Sequence, residues 1–184
     1  MTTQRNADSN DLVLVLGATG KTGRRIVSSL ERLGVPVRIG SRSATPSFDW
    51  NDASGWDACL EGVSAIYINY APALAMPGAT DAIGELVGRA GVAGVRHLVL
   101  LSGRGEEEAQ ACEAIVQNSG IAWTIVRASW FNQNFSEGAF VEMVQAGHIT
   151  LPDVSTPEPF VDVDDIAEVA VVALTEPGHA GEVY

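Results

Sequence analysis

The stretch from Leu12 to Gly23, which reads LVLVLGATGKTG, constrains the fold of this chain more than any other part of the sequence. Its five consecutive apolar residues predict a strand that is buried on both faces. Three glycines follow at a spacing of three, and the next ten residues have the periodicity of a helix. The apolar face of this helix consists of Ile26, Val27, Leu30 and Leu33.

The three glycines have separate roles in a strand–turn–helix unit that binds a dinucleotide. Gly17 permits the tight turn, Gly20 lets backbone N–H groups approach a pyrophosphate, and Gly23 lets the helix pack against the strand. The partial positive charge of the helix N-terminus then faces the phosphates. A glycine-rich surface turn in an ordinary α/β domain is the structural alternative, but the flanking strand and helix favour the dinucleotide site. A P-loop is excluded because it needs a glycine five residues before Gly20, where the chain has Val15.

The end of the predicted second strand, Val35 to Ile39, bears on the choice of dinucleotide. An acidic residue at this place holds a ribose 2′-hydroxyl, whereas an arginine accommodates a 2′-phosphate. No Asp or Glu lies between Arg32 and Phe48, and Ser41 and Arg42 occupy the position. The sequence therefore favours NADP over NAD, with a solvated loop charge as the alternative role for Arg42.

The rest of the chain alternates apolar strands with helical segments. We predict strands at 48–50, 64–69, 96–102, 121–126 and 181–184 and helices at 80–91, 103–119, 137–146 and 166–174. Such alternation is typical of an α/β fold with a doubly wound parallel sheet and helices on both faces. Asp49, at the end of the third predicted strand, is a candidate acceptor for an adenine amino group beside Trp50, although a helix cap at Asn51 or Asp52 is the alternative for this region.

Length and charge exclude several classes of function. The 184 residues predict a single domain over 12–184, preceded by a flexible polar tail over 1–11, and no stretch has transmembrane length. The net charge of −12 argues against binding to nucleic acid or to an anionic membrane. Seven of the eleven basic residues lie within the first 42 positions, so a polyanionic ligand is expected in this part of the chain.

Cysteine and histidine spacing predicts neither a disulfide nor a metal site. Cys59 and Cys112 lie in helical patterns without metal-ligand spacing, so we expect buried free thiols and a cytoplasmic protein. The three histidines are far apart, and no nucleophile elbow with the pattern Gly-x-Ser-x-Gly occurs.

Taken together, the motifs resemble the NmrA-like branch of the atypical short-chain dehydrogenases. The opening glycine motif, the segment SGIAWTIVR at 119–127 with the aromatic residues after it, FVDVDDIA at 160–167 and GEVY at 181–184 are similar to that family's signatures in the same order. The resemblance implies a Rossmann-type domain that binds NADP or NAD, in either a reductase or a redox-sensing regulator. Family members normally continue past Tyr184 with segments that help build the substrate pocket. The resemblance therefore predicts shortened C-terminal substrate segments, either because the chain is a shortened form of a longer protein or because its pocket is reduced.

The resemblance implies a role for each residue that matches a family motif. The pyrophosphate would be held by Gly17, Thr19, Gly20, Lys21, Thr22 and Gly23. The 2′-phosphate would be held by Ser41 and Arg42, and the adenine by Asp49 and Trp50. The nicotinamide ribose would be bordered by Asn69, Tyr70, Ala71 and Pro72, and the nicotinamide and substrate by Ser102, Trp130, Phe131 and Asn134.

One departure leaves two functions open. Short-chain dehydrogenases commonly use a Tyr with a Lys four residues later, but Lys21 is the only lysine of this chain. A reductase would then need an activated acceptor, quinone-like or iminium-like and apolar or aromatic, with Tyr70 or Ser102 as candidate proton donor. A non-catalytic NAD(P) sensor that acts through a protein partner is the alternative, and either protein could form a homodimer.

Overall fold

A computed structural model describes residues 11–138, 140–151 and 157–184 of the chain. Residues 1–10 of the predicted tail lie outside this part. The described residues contain a six-stranded parallel sheet with the strand order β2-β1-β3-β4-β5-β8. The strands are β1 (Leu12–Leu16), β2 (Val37–Gly40), β3 (Val63–Ile68), β4 (His97–Gly103), β5 (Ala122–Ala128) and β8 (Glu182–Val183).

Seven α-helices and a second, two-stranded sheet complete the described elements. The helices are α1 (Lys21–Arg32), α2 (Trp56–Leu60), α3 (Ala79–Val92), α4 (Glu107–Gln117), α5 (Asn134–Glu137), α6 (Val141–Gln145) and α7 (Val163–Thr175). The short strands β6 (Trp130–Phe131) and β7 (Phe160–Val161) pair with each other in parallel.

The six-stranded sheet is covered on both faces because side chains alternate along each strand. Leu14 of β1 and Ile66 of β3 belong to a core shared with α2, α3 and α4, whereas Val15 and Tyr67 belong to a core shared with α1 and α7. Each fully buried Leu or Ile contributes about 1.5–3 kcal/mol to folding. The predicted doubly wound parallel sheet with helices on both faces is therefore confirmed.

Two predicted elements differ in the structure. Residues 48–50 form no strand of the sheet, since Phe48 and Trp50 pack against Trp56, with ring centroids 5.0 and 5.6 Å away, and Asp49 makes only an isolated antiparallel bridge to Asp52. The predicted helix at 137–146 is two short helices, α5 and α6, which are separated at Gly138, where the backbone is extended. Aromatic packing in the first case overrides the local pattern.

No helix in the described ranges is long and apolar enough to cross a membrane.

Candidate functional site

A cavity of about 520 Å³ lies at the carboxyl edge of the large sheet, where ligands bind in open α/β folds. The residues after β1, β3, β4 and β5 all reach this edge, because the four strands are parallel neighbours. Among the predicted site residues, the cavity is lined by Lys21, Thr22, Asn69, Tyr70, Pro72, Ser102, Trp130, Phe131 and Asn134. The structure therefore brings together most of the residues predicted for the nicotinamide and the substrate.

The glycine turn between β1 and α1 has the geometry of a phosphate-binding turn. Gly17 adopts a φ of 69°, and its carbonyl accepts a hydrogen bond of 2.9 Å from the N–H of Gly20. A Cβ atom on Gly23 would lie 2.8 Å from the Cα of Ala18, so only glycine allows α1 to approach the turn this closely. The predicted roles of Gly17 in the turn and of Gly23 in packing agree with these contacts.

The N-terminus of α1 is open to an anion. Gly20 provides no side-chain cap, and the first turn contains no acidic residue. The first backbone bond of the helix runs from the N–H of Arg24 to the carbonyl of Gly20, so the N–H groups of residues 21–23 precede the helical ladder. These residues fit the pyrophosphate of a dinucleotide, which would accept hydrogen bonds from the free N–H groups.

The side chain of Thr22 makes a contact inside the protein that the sequence did not predict. It is 1% exposed, and its Oγ1 accepts a hydrogen bond of 2.9 Å from the hydroxyl of Tyr67, which is buried in β3. Burial raises the pKa of Tyr67, so the phenol stays protonated and donates. Thr22 thus joins α1 to β3, and its contact with a phosphate stays a prediction. Thr19, by contrast, is exposed in the turn.

The end of β2 lies beside the glycine turn, as the 2′-phosphate prediction requires. Gly40 is the register partner of Leu16, so Ser41 and Arg42 follow directly next to Gly17. Arg42 is exposed, and within the described ranges its side chain has no ion pair. Arg38 is not available to a ligand in the same way, because it donates to the carbonyl oxygens of Cys59 (2.8 Å) and Glu61 (2.6 Å).

The two residues predicted to contact adenine lie outside the cavity lining. The carboxylate of Asp49 accepts from the backbone N–H of Asn51 at 3.0 Å, and its carbonyl accepts from the indole of Trp56 at 2.8 Å. Trp50 contacts Tyr70 with ring centroids 4.8 Å apart and an interplanar angle of 63°. Trp50 thus supports the cavity wall from behind, and the adenine role of this pair stays a prediction.

Tyr70 is half-buried: its ring contacts Trp50 and also lines the cavity. Ala71 beside it is exposed and does not line the cavity, whereas Pro72 does. Asn69 also lines the cavity, and its side chain lies against the glycine turn, since a Cβ on Gly17 would lie 3.0 Å from its Nδ2. The loop after β3 therefore joins the phosphate end of the site to the cavity.

Ser102 lies at the base of the cavity and belongs to a buried hydrogen-bond network. Its hydroxyl donates to Oε1 of Glu113 at 2.5 Å, and Arg127 donates to both oxygens of this carboxylate, with a shortest distance of 2.6 Å. Burial raises the pKa of Glu113, but the bonds from Arg127 and Ser102 and the charge of Arg127 lower it more, so the carboxylate stays ionised. Ser102 has one proton, and Glu113 accepts it. This arrangement opposes the predicted role of Ser102 as a proton donor and leaves its lone pairs facing a ligand.

Glu113 and Arg127 were not among the predicted site residues. Glu113 lies on the buried face of α4 together with Ala109, Cys112 and Val116. A carboxylate is rarely buried without a partner. The position of Glu113 on the apolar face of α4 could therefore have indicated a buried partner from the sequence. The identity of the partner is a tertiary fact, since Arg127 lies on the next strand.

Aromatic side chains form the outer wall of the cavity. Trp130 stacks on Phe140 with ring centroids 5.8 Å apart and contacts Phe160 at 6.1 Å. Phe131 packs against the core shared by α1 and α7. Asn134 opens α5, and its Oδ1 accepts a hydrogen bond of 3.1 Å from Nζ of Lys21. The Lys21 side chain therefore extends toward the wall of the cavity.

Both predicted buried thiols, Cys59 and Cys112, are buried and free. Within the part of the chain that the structure describes, no cluster of His, Cys, Asp and Glu is suited to a metal ion.

The parallel sheet, the glycine turn and the cavity at its carboxyl edge define a Rossmann-type dinucleotide-binding domain. The family model described as NAD(P)H-binding matches residues 17–177, and the chain belongs to this family, as the motif resemblance predicts.

Two relatives and one solved structure illustrate the similarity. The chain is 34% identical over 195 residues to a (4-alkanoyl-5-oxo-2,5-dihydrofuran-3-yl)methyl phosphate reductase of Streptomyces griseus, covering 94% of this chain and 66% of the relative. It is 29% identical over 191 residues to prestalk A differentiation protein A of Dictyostelium discoideum, covering 94% and 63%. The triphenylmethane reductase of Citrobacter sp., solved in complex with NADP(H), superposes with a TM-score of 0.73 at 20% identity, covering 95% of this chain and 68% of that one. The chain thus spans about two thirds of the length of each.

Proposed function

We propose that this protein is an NADP(H)-dependent reductase that transfers a hydride to a small activated acceptor. The observation that carries the proposal is the position of the cavity. It adjoins the open N-terminus of α1, and its wall contains Tyr70, Trp130 and Phe131. A dinucleotide whose pyrophosphate lies on α1 would place its nicotinamide in this cavity, where it supplies a hydride. The aromatic wall suits a flat, apolar or aromatic acceptor.

The preference for NADP rests on the loop after β2. Arg42 is exposed there beside the glycine turn, and no carboxylate from this loop competes for a ribose 2′-hydroxyl, since residues 33–48 contain no Asp or Glu. The similar Citrobacter reductase was solved with NADP(H). We therefore expect tighter binding of NADPH than of NADH.

Tyr70 is the better of the two predicted proton donors. Its ring lines the cavity, whereas the Ser102 proton is bonded to Glu113. Quinone-like and iminium-like acceptors need little help from a general acid, so the missing Tyr–Lys pair is compatible with turnover. Ser102 would then accept a hydrogen bond from the nicotinamide or from the substrate.

A non-catalytic NAD(P) sensor is the second proposal. The lysine that short-chain dehydrogenases place four residues after the catalytic Tyr is missing here. No Lys or Arg follows Arg127, so the last third of the chain is an acidic surface that a regulatory protein or a second copy of the chain could contact. The relative from Dictyostelium is named for differentiation and not for a reaction. The two buried free thiols fit a reducing compartment, and we propose the cytoplasm.

The test is a calorimetric titration of the chain with NADPH and with NADH, followed on the same sample by NADPH consumption with a panel of small quinones. Tight NADPH binding with turnover supports the reductase. Tight binding without turnover of any acceptor supports the sensor. Absence of binding to both dinucleotides refutes both proposals.

A further inference from the structure

The ammonium group of Lys21 belongs to the acceptor cavity and not to the pyrophosphate site for which its motif position suggests it. Its Nζ donates to Oδ1 of Asn134 at 3.1 Å, and both residues line the cavity together with Tyr70 and Trp130. Lys21 is the first residue of α1, so its backbone N–H faces the phosphate end while its side chain crosses to α5.

Gly138 leaves the space that this ammonium group occupies. A Cβ atom at position 138 would lie 2.8 Å from Nζ of Lys21 and 3.2 Å from its Cε. The backbone of Gly138 has φ −143° and ψ −155°, an extended conformation that other residues also adopt. The contact with Lys21 is therefore what a side chain at this position would disturb.

Ion pairs fasten α5 to α1 and hold Asn134 beside Lys21. Glu137 at the end of α5 pairs with Arg24 and with Arg25, the latter at 2.9 Å, and Arg25 also pairs with Asp164 of α7. The hydrogen bond from Arg25 is the largest of the effects that lower the pKa of Glu137. Desolvation raises this pKa, but the hydrogen bond from Arg24 and the charges of both arginines add to the lowering, so the pKa is lowered overall. Each of these partly exposed ion pairs is weak, but together the three pairs connect α1, α5 and α7.

The cavity consequently has a cationic end and an anionic end. In the described ranges no carboxylate lies within ion-pair distance of Lys21. The cavity also contains Glu106, whose carboxylate packs against Gly103 at the end of β4.

We propose that Lys21 binds a carbonyl oxygen of the acceptor, so that the protein reduces quinone-type acceptors in preference to cationic iminium-type ones. This inference rests on the proposed reductase function. A bound dinucleotide would supply the hydride that reduces the acceptor by two electrons, and the phenol of Tyr70 would supply the proton. A carbonyl π bond of the acceptor breaks, and its oxygen gains negative charge beside the ammonium of Lys21 before it takes a proton. An acceptor that is already cationic is repelled by the same ammonium group.

The test compares the substitutions Lys21→Met, Lys21→Arg and Gly138→Ala in the full chain. Arg32→Met is the control, because it removes one positive charge from the same helix about 16 Å away, at its other end. Three quantities are measured: the Kd of NADPH, the Kd of 1,4-naphthoquinone for the chain loaded with NADP⁺, and kcat/KM for this quinone and for malachite green, a triphenylmethane cation.

We expect Lys21→Met to lower kcat/KM for the quinone about 100-fold, the scale of a lost oxyanion donor, without lowering it for the cation. The Kd of the quinone rises about tenfold, and that of NADPH changes by less than about threefold. Gly138→Ala acts in the same direction but less strongly, because the charge is displaced and not removed. Lys21→Arg retains most of the quinone activity, and Arg32→Met retains all of it.

Any of three results would overturn the inference. A large rise in the Kd of NADPH for Lys21→Met, with unchanged quinone binding, assigns Lys21 to the pyrophosphate. Equal losses for the quinone and the cation assign it a purely structural role. If the unmodified chain binds NADPH but reduces no acceptor, the reductase proposal fails, although Lys21 could still bind a quinone. In that case an unchanged quinone Kd in Lys21→Met refutes the binding role of Lys21 as well.

Discussion

The replacement Arg42→Ala should change the affinity for NADPH and leave that for NADH nearly untouched. Arg42 follows the end of β2 beside the glycine turn, and in the described part of the chain its side chain has no ion pair that the substitution would break. Its removal should therefore leave the fold and the free energy of unfolding unchanged. The 2′-phosphate is the group that distinguishes the two dinucleotides, so any selective loss reports on this contact.

The expected loss follows from the exposure of the side chain. A hydrogen bond to a charged group contributes about 1.5–3 kcal/mol, and the solvent around Arg42 places the value toward the lower end. The lower end of this range corresponds to a rise of about tenfold in the Kd of NADPH. Salt should reduce the difference in the Kd of NADPH between the unmodified protein and Arg42→Ala, because it screens exposed charges.

Calorimetric titration of both proteins with both dinucleotides measures these changes. Arg38→Met, on the strand that precedes Arg42, is the matched control. It removes hydrogen bonds to the carbonyl oxygens of Cys59 and Glu61 and should lower stability without changing the ratio of the two Kd values. Equal losses of NADPH and NADH in Arg42→Ala would refute the assignment of Arg42 to the 2′-phosphate.

Three further predictions concern the turn, the cavity wall and the buried network. Gly20→Val should abolish dinucleotide binding while the chain stays folded. A Cβ at this position would lie 3.2 Å from the carbonyl oxygen of Gly17, and the added side chain would block the approach of a phosphate. Unchanged affinity in the titration would contradict the motif assignment. Tyr70→Phe should lower kcat by no more than about tenfold with little change in the Kd of NADPH, because an activated acceptor needs little help from a general acid. An unaltered steady-state rate would remove Tyr70 from proton transfer. The lowered pKa of Glu113 means that its contribution to stability is complete above the ordinary value of 4.5 and is lost as the pH falls through the folded-state value. Glu113→Gln should therefore lower the free energy of unfolding by about 1–3 kcal/mol at pH 7, which is less than for a fully buried pair because Arg127 is partly exposed. The substitution should also flatten the decline of stability below pH 4.5, as measured by urea titrations at several pH values. An unchanged acid profile would contradict this account.

Much of the fold could be predicted from local patterns. The apolar runs of β1, β3 and β4 and the helical periodicity of α1, α3 and α7 identify these elements because each buries a whole strand or one helix face, which leaves a periodic record. The short segment 48–50 has a strand-like composition, but its aromatic rings pack against Trp56 and not within the sheet. Short segments carry too few side chains to show a period, so their conformation depends on their neighbours.

The candidate site divides in the same way. The glycine spacing predicts a phosphate turn, because a tight turn and a close helix–strand approach require residues without a Cβ. The sequence does not predict that the Thr22 side chain is used by Tyr67, that the Ser102 proton is accepted by Glu113, or that Lys21 reaches Asn134. The partners in these bonds are 45, 11 and 113 positions apart, respectively.

The sequence by itself therefore determines the class of fold and the chemical family of the ligand and predicts the place of the phosphates, because each depends on residues that are adjacent or periodic in the chain. Only the tertiary structure decides which side chains are free to act. A hydroxyl has one proton and an ammonium group three, and whether a ligand or a distant residue accepts them depends on which strands and helices the fold places side by side.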